Sequence, residues 1–255
     1  MTPNQFLWTS ASRTHVGRVR TLNEDACLDQ PARGLWAVAD GMGGHAVGDF
    51  ASALAVDSLN KLPAPQSLAG FVADARQRLQ AVNQQLREEA AARNVGRIGC
   101  TIAALLAFDA QCACLWAGDS RVYLYRDGEL RQLTSDHSQV EILRSLGQLS
   151  TEEVARHPTR NLITRAVGAL DTLELDEMVI DVLDADVLLL CSDGLSNDLS
   201  SEEIGQALGS GSCRQAAETL VELALSRGGR DNISAVVVRA EDLYNSDKTM
   251  LNPAL

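Results

Sequence analysis

Five aspartates occur in one recurrent setting, and that setting suits the chemistry of divalent cations. Asp40 closes the apolar run 35–39 and opens into Gly41, Gly43 and Gly44. Asp119 follows Gly118, and Asp193 precedes Gly194, each beside an apolar run. Asp231 comes after Gly228 and Gly229, ahead of the last apolar run, and Asp25 follows Glu24 where a strand should begin. An apolar run that ends in a charge delivers that charge to the end of a strand. Neighbouring glycines let the backbone turn tightly and approach a ligand. Taken singly, each Asp-Gly is an ordinary turn, and Asp40 could merely cap the next helix. If the strand ends converge, five carboxylates meet in a water-poor place and repel one another unless cations intervene. No His or Cys is interleaved, so Mg²⁺ or Mn²⁺ suits the set better than Zn²⁺.

The elements that must position these acids can be read from periodicity. Strands are expected over 6–13, 26–29, 35–39, 101–108, 112–117, 122–125, 129–133, 175–183, 187–191 and 233–239. Helices are expected over 46–61, 66–93, 201–208 and 213–227. Arg126-Asp127-Gly128 reads as a hairpin turn. Most neighbouring strands are joined by tight turns, which implies antiparallel sheet. Two packed sheets with helices on their outer faces satisfy the count. Residues 1–242 read as one catalytic domain and 243–255 as a polar tail. Between Asp119 and Asp193 the segment 135–159 is polar and weakly periodic, as a flap over a site would be. Its His137, and His157, read as surface groups.

Composition narrows the partners. The chain has 255 residues, 45% of them hydrophobic, enough for a substantial core. Its formal net charge of −12 disfavours nucleic acid and anionic membrane as targets. No stretch is apolar for long enough to span a bilayer. The six cysteines are scattered, with no C-x-x-C pair, and read as buried, reduced thiols of a cytoplasmic protein. Cys191 lacks the following phosphate loop ending in arginine that a thiol phosphatase needs.

In order along the chain stand Arg20-x-x-x-Glu24-Asp25, Asp40-Gly41-x-Gly43-Gly44, Gly118-Asp119-Ser120-Arg121, Ser192-Asp193-Gly194 and Gly229-x-Asp231-Asn232. Together they resemble the metal-dependent protein phosphatases of the PP2C type, in compact bacterial form, over about residues 6–239. The resemblance implies an α+β fold, a four-layer α-β-β-α sandwich of two antiparallel sheets flanked by helices. It implies a protein serine/threonine phosphatase in which a metal-bridging hydroxide attacks phosphoserine or phosphothreonine directly, opposing a bacterial Ser/Thr kinase. The cofactors would be two Mg²⁺ or Mn²⁺ ions, with a third possible in bacterial members. By this resemblance Asp40 bridges the two ions, and Asp193 and Asp231 bind one of them. Gly41 binds the other through its carbonyl, Glu24 acts through water, and Asp25 holds metal-bound waters. Asp119, with Asp193, serves the third ion, and Arg20 grips the substrate phosphate. From the residues alone Arg20 reads as a surface arginine paired with Glu24. Many eukaryotic members carry His after the Asp-Gly, where this chain has Met42; His45 could substitute, but its simpler role is to open the helix. Phosphoproteins are the implied partners of a monomer.

Overall fold

The computed structural model describes residues 5–43, 47–150, 153 and 157–245. Gly44 and His45, part of the 135–159 segment, and residues 246–255 of the expected tail lie outside the described residues.

Two antiparallel sheets stack face to face. The first has the order β1 (Phe6–His15), β11 (Ile233–Asp242), β10 (Val187–Cys191), β7 (Arg121–Arg126), β8 (Glu129–Gln132). The second runs β2 (Asp25–Gln30), β3 (Leu35–Met42), β5 (Ile102–Phe108), β6 (Gln111–Ala117), β9 (Asp176–Asp181), with the short β4 (Gly99–Cys100) pairing with the tip of β3. Helices α1 (Gly48–Asn60) and α2 (Leu68–Ala92) cover the second sheet, and α5 (Ser201–Leu208) and α6 (Cys213–Ser226) cover the first. Two shorter helices, α3 (Gln139–Ser145) and α4 (Asp193–Ser196), stand at the end where the acids lie. The expected four layers are therefore present.

Local chemistry sets the element ends. Ser67, Ser200 and Ser212 accept hydrogen bonds from the first turns of α2, α5 and α6, the last two through reciprocal capping boxes. Asp127 and Gly128 both have positive φ, as a two-residue hairpin between β7 and β8 requires. Some boundaries differ from those read from sequence. Asp40 and Gly41 are not beyond β3 but inside it, because β2 pairs with Asp40 and β4 with Gly41. Asp193 opens a helical turn rather than a glycine loop. The last strand runs on to Asp242, since Phe6 pairs with that residue.

Strand alternation explains how an apolar core becomes a polar site. Successive side chains point to opposite faces. Trp36 and Val38, Leu188 and Leu190, Val236 and Val238, Ala103 and Leu105, and Val122 and Leu124 fill the layer between the sheets. One step of two residues further along the same faces come Asp40, Ser192, Ser234, Thr101 and Ser120. On β2 the alternation places Asp25 on the face of Cys27. The inter-sheet layer thus changes from packed hydrocarbon to acids and hydroxyls at a single end of the sandwich.

Candidate active site

The cleft at that end is lined by Arg20, Glu24, Asp40, Gly41, Met42, Gly43, Thr101, Asp119, Asn161, Ile163, Asp193, Asp231 and Asn232. Every acid singled out in the sequence is gathered there or immediately behind, Asp25 lying one layer deeper and only 9% exposed. Asp25 and Asp40 are directly opposite one another on β2 and β3.

Hydroxyl groups lace the acidic turns together. Asp25 Oδ2 accepts from Ser192 Oγ at 2.8 Å and from Ser234 Oγ at 2.7 Å, and Ser192 Oγ accepts in turn from the Ser234 N–H at 3.0 Å. Ser234 Oγ is bonded to Thr14 Oγ1 at 2.8 Å, so β1, β2, β10 and β11 share one network. On the other side the Asp40 N–H donates to Thr101 Oγ1 at 3.0 Å, and that oxygen is bonded to Ser120 Oγ at 2.7 Å. This ties the Asp40 strand to the Asp119 turn. Asn232 accepts from the Glu24 N–H through Oδ1 at 2.8 Å and donates through Nδ2 to the carbonyls of Val16 and Leu22. Thr14, Thr101 and Ser234 carry no motif and escape sequence reading. The signal that finds them is their position, the first polar residue on the inter-sheet face of each strand.

The carboxylates resist ionisation in each other's company. Burial pushes Asp25 up to about 7, against the pull of its two seryl hydroxyls, with Asp193 and Asp231 adding repulsion. Burial likewise pushes Asp119 up to about 8, with Asp193 and Asp136 adding to it. Asp40 is raised well above the carboxylate range by burial and by Asp25, Asp193, Asp119 and Asp231. Asp193 is raised by burial and by Asp231. Two oxygens in this ring, Asp25 Oδ1 and Asp193 Oδ1, are buried with no hydrogen-bond partner. Buried acceptors without donors, inside a cluster of like charge, are what a cation would satisfy. Among the described residues no three His, Cys, Asp or Glu side chains form a ready cage. The donor set is all oxygen, which matches ions that keep several waters and take few protein ligands.

Arg20 does not pair with Glu24. Its Nη2 donates to Asp231 Oδ2 at 2.8 Å, 211 residues away in the chain. Glu24 instead lies with its carboxylate against Gly48, the first residue of α1, where the positive end of the helix favours it. Gly41 is required by close approach, because a Cβ there would sit 2.0 Å from the Gly48 carbonyl oxygen and 2.6 Å from that of Glu24. Gly17 has φ of +82°, and a Cβ there would lie 2.2 Å from the Asp231 carbonyl oxygen. Gly17→Ala should therefore force apart the loops carrying Arg20 and Asp231. It is expected to cost about 3 kcal/mol and about 10 °C in melting temperature, measured by calorimetry. An unchanged melting temperature would mean that the two loops are not wedged together.

His137 is not a surface group. It is 8% exposed and stacks on Trp116. Its Nδ1 accepts from the Gly118 N–H at 3.3 Å, leaving Nε2 to donate to Asp176 Oδ2 at 3.1 Å. An aromatic floor and two bonding partners drew it in, and no local spacing signals either. His157 is half-buried, bonded to Thr159. From the expected flap, Ser135, Asp136, Ser138 and Glu141 line a groove that joins the cleft at Asp119 and Asp193. Burial pushes the Cys191 thiol up to about 12, so no thiolate nucleophile is offered.

Comparison with known proteins gives concordant results. The profile of the Protein phosphatase 2C family matches residues 13–232. A serine/threonine phosphatase, stp, of Listeria welshimeri is 36% identical over 235 residues, spanning 89% of this chain and 93% of that protein. Among solved structures, PppA of Pseudomonas aeruginosa, described as a key regulatory component of T6SS, superposes with a TM-score of 0.86 at 47% identity, over 91% of this chain and 97% of that one. The catalytic domain of the phosphatase PstP, solved with two manganese ions, superposes with a TM-score of 0.84 at 34% identity, over 93% of this chain and all of that domain (100%).

Proposed function

Because the chain belongs to the protein phosphatase 2C family, a family of metal-dependent serine/threonine phosphatases, we propose that its acidic cleft holds two Mg²⁺ or Mn²⁺ ions and hydrolyses phosphoserine and phosphothreonine in proteins. The observation that carries the assignment of the cleft is the pair of buried, partnerless oxygens on Asp25 and Asp193 within the ring of acids. In this reading Asp40 would serve both ions, Asp193 and Asp231 would hold one, and the Gly41 carbonyl and Glu24 would serve the other. Asp25 orients water, its Oδ2 fixed by Ser192 and Ser234 so that Oδ1 is left to accept. Asp119 and Asp193 would serve a third ion. Bound divalent ions supply Lewis acidity and make water nucleophilic near neutral pH.

The chain's own residues do the rest. Asp231 holds one guanidinium nitrogen of Arg20, which leaves the others to donate to phosphoryl oxygens and align the phosphorus for in-line attack. The β-sheet hydroxyls keep the acids in place without adding charge. Met42 brings no proton to the leaving group, since a thioether has none to give.

A Ser/Thr kinase is the opposing partner in this reading, and the protein acts as a monomer. Among the described residues the helices cover both outer sheet faces, which supports the monomer. Six free thiols, five of them buried, suit a reducing cytoplasm. No helix of the described residues is long and apolar enough to cross a membrane. Likeness to PppA supports a role in secretion-linked signalling.

The test is phosphate release from a phosphoserine peptide in Mn²⁺, before and after EDTA, with Arg20→Ala alongside. EDTA should abolish release and fresh Mn²⁺ should restore it. Arg20→Ala should lower kcat/KM by roughly 10- to 100-fold, the value of charge-assisted hydrogen bonds to the phosphoryl group. Full activity in EDTA would defeat the proposal.

A further inference from the structure

Two short loops from opposite ends of the chain form one lip on the Arg20 side of the cleft. The Arg18 N–H donates to the Gly229 carbonyl at 2.7 Å, and Asn232 Nδ2 donates to the carbonyls of Val16 and Leu22 at 2.9 Å each. The Cγ of Arg18 lies 3.2 Å from where a Cβ of Gly229 would stand, and the Arg230 stem runs beside Gly228. The side chains of Arg18 and Arg230 are thereby carried by a braced backbone, next to Arg20 and Asp231.

Among the described residues nine arginines are ion-paired, and these two are not. Arg20, Arg76, Arg87, Arg93, Arg121, Arg126, Arg144, Arg165 and Arg227 each have a carboxylate within ion-pair distance. Arg18 and Arg230 are exposed and have none among the described residues. Val19, 66% exposed, and Leu22, 41% exposed, give the same lip apolar surface on which a chain could rest.

We infer that Arg18 and Arg230 bind a second anionic group of the phosphoprotein, two or three residues from the phosphate being removed, so that the enzyme selects phosphosites with acidic surroundings. The inference rests on the phosphatase reading and deepens it. A net charge of −12 and a cleft full of carboxylates repel an acidic peptide over about a Debye length. Two unneutralised cations at the mouth offset that repulsion where the peptide must enter. Arg18 and Arg20 are two residues apart, a span of at most ~7 Å, which matches two residues of extended substrate. The anion is a carboxylate of Asp or Glu or a second phosphate, and both present oxygens to guanidinium in the same way.

Three phosphoserine peptides separate the cases. One has neutral flanks, one carries Glu two residues from the phosphoserine, and one carries a second phosphoserine there. The wild type should favour each anionic peptide over the neutral one by about tenfold, chiefly in KM, and the advantage should shrink as salt is raised. In Arg18→Ala/Arg230→Ala, and in the gentler Arg18→Gln/Arg230→Gln, the ratio of anionic to neutral kcat/KM should fall close to one. Arg78→Ala, which removes the same charge from an exposed site on α2, should keep the preference. An advantage limited to the doubly phosphorylated peptide would support the lip with phosphate as its ligand. A wild type without preference, or a preference that survives in both double variants, would overturn the lip and leave the two arginines as solvated surface groups. A wild type that fails on all three peptides and on p-nitrophenyl phosphate in Mn²⁺ would overturn the phosphatase reading instead.

Discussion

Asp40→Asn is expected to lower kcat/KM about a thousandfold and, at the same time, to raise the melting temperature of the EDTA-treated protein. Both halves follow from the position of one carboxylate. Asp40 faces Asp25 across two paired strands and is crowded by Asp193, Asp119 and Asp231. As a residue that would serve both ions it would carry several kcal/mol of their effect on the reaction, and each ~1.4 kcal/mol is a factor of ten. The asparagine amide keeps the shape of the carboxyl, so packing should survive. What is lost is a carboxyl that burial and four neighbouring aspartates oppose, which without metal must either keep its proton at a cost or carry an unfavourable charge. Removing it should stabilise the metal-free fold by about 1–2 kcal/mol, or roughly 4 °C in a protein of this size. The paired assays are phosphopeptide turnover in Mn²⁺ and calorimetry in EDTA. A variant that is inactive and also less stable without metal would mean that Asp40 supports the fold rather than strains it. Near-normal turnover would remove Asp40 from the site.

The second large effect concerns pH. In the metal-stripped protein, stability should fall as pH rises from about 5 to about 8. Asp25 and Asp119 hold their protons in the folded state up to about 7 and about 8, and Asp40 and Asp193 are also raised. Unfolded, aspartates release theirs near 4. Between those limits the native state binds more protons than the unfolded chain, so each step up in pH favours unfolding. His137 works the other way, because burial lowers its affinity for a proton that the unfolded chain takes up near 6.5. One imidazole opposes four carboxyls, and the net slope should remain negative. Urea midpoints in EDTA should therefore be higher at pH 5.5 than at pH 8, and Mn²⁺ should raise the midpoint more at pH 8, where ionised acids await it. A midpoint that climbs with pH in EDTA would show that the acids are not crowded together.

Much of this protein was written in local pattern. The continuous apolar runs of β5, β6, β10 and β11, the period-3.6 stripe of α2, the serines ahead of α2, α5 and α6, and the Asp127-Gly128 turn each act over a few residues. They could be read without knowing what lies opposite. The recurring pairing of an acid with a glycine beside an apolar run also pointed to the correct end of the strands, although Asp40 proved to lie within β3 and Asp193 at the head of a helical turn.

By itself, then, the order of residues determined which segments become strands and helices, how many layers they can form, and which acids stand at the strand ends. Only the folded molecule decided the partners. It paired Arg20 with Asp231 rather than Glu24, set Asp25 opposite Asp40, drew His137 under the Asp119 turn, and recruited Thr14, Thr101, Ser120, Ser192 and Ser234 as the hydroxyl lacing. The physical reason is range. Dihedral preference and side-chain alternation act on neighbours in the chain, whereas a hydrogen bond between residues 200 positions apart exists only after two sheets have stacked and their strand ends have come level.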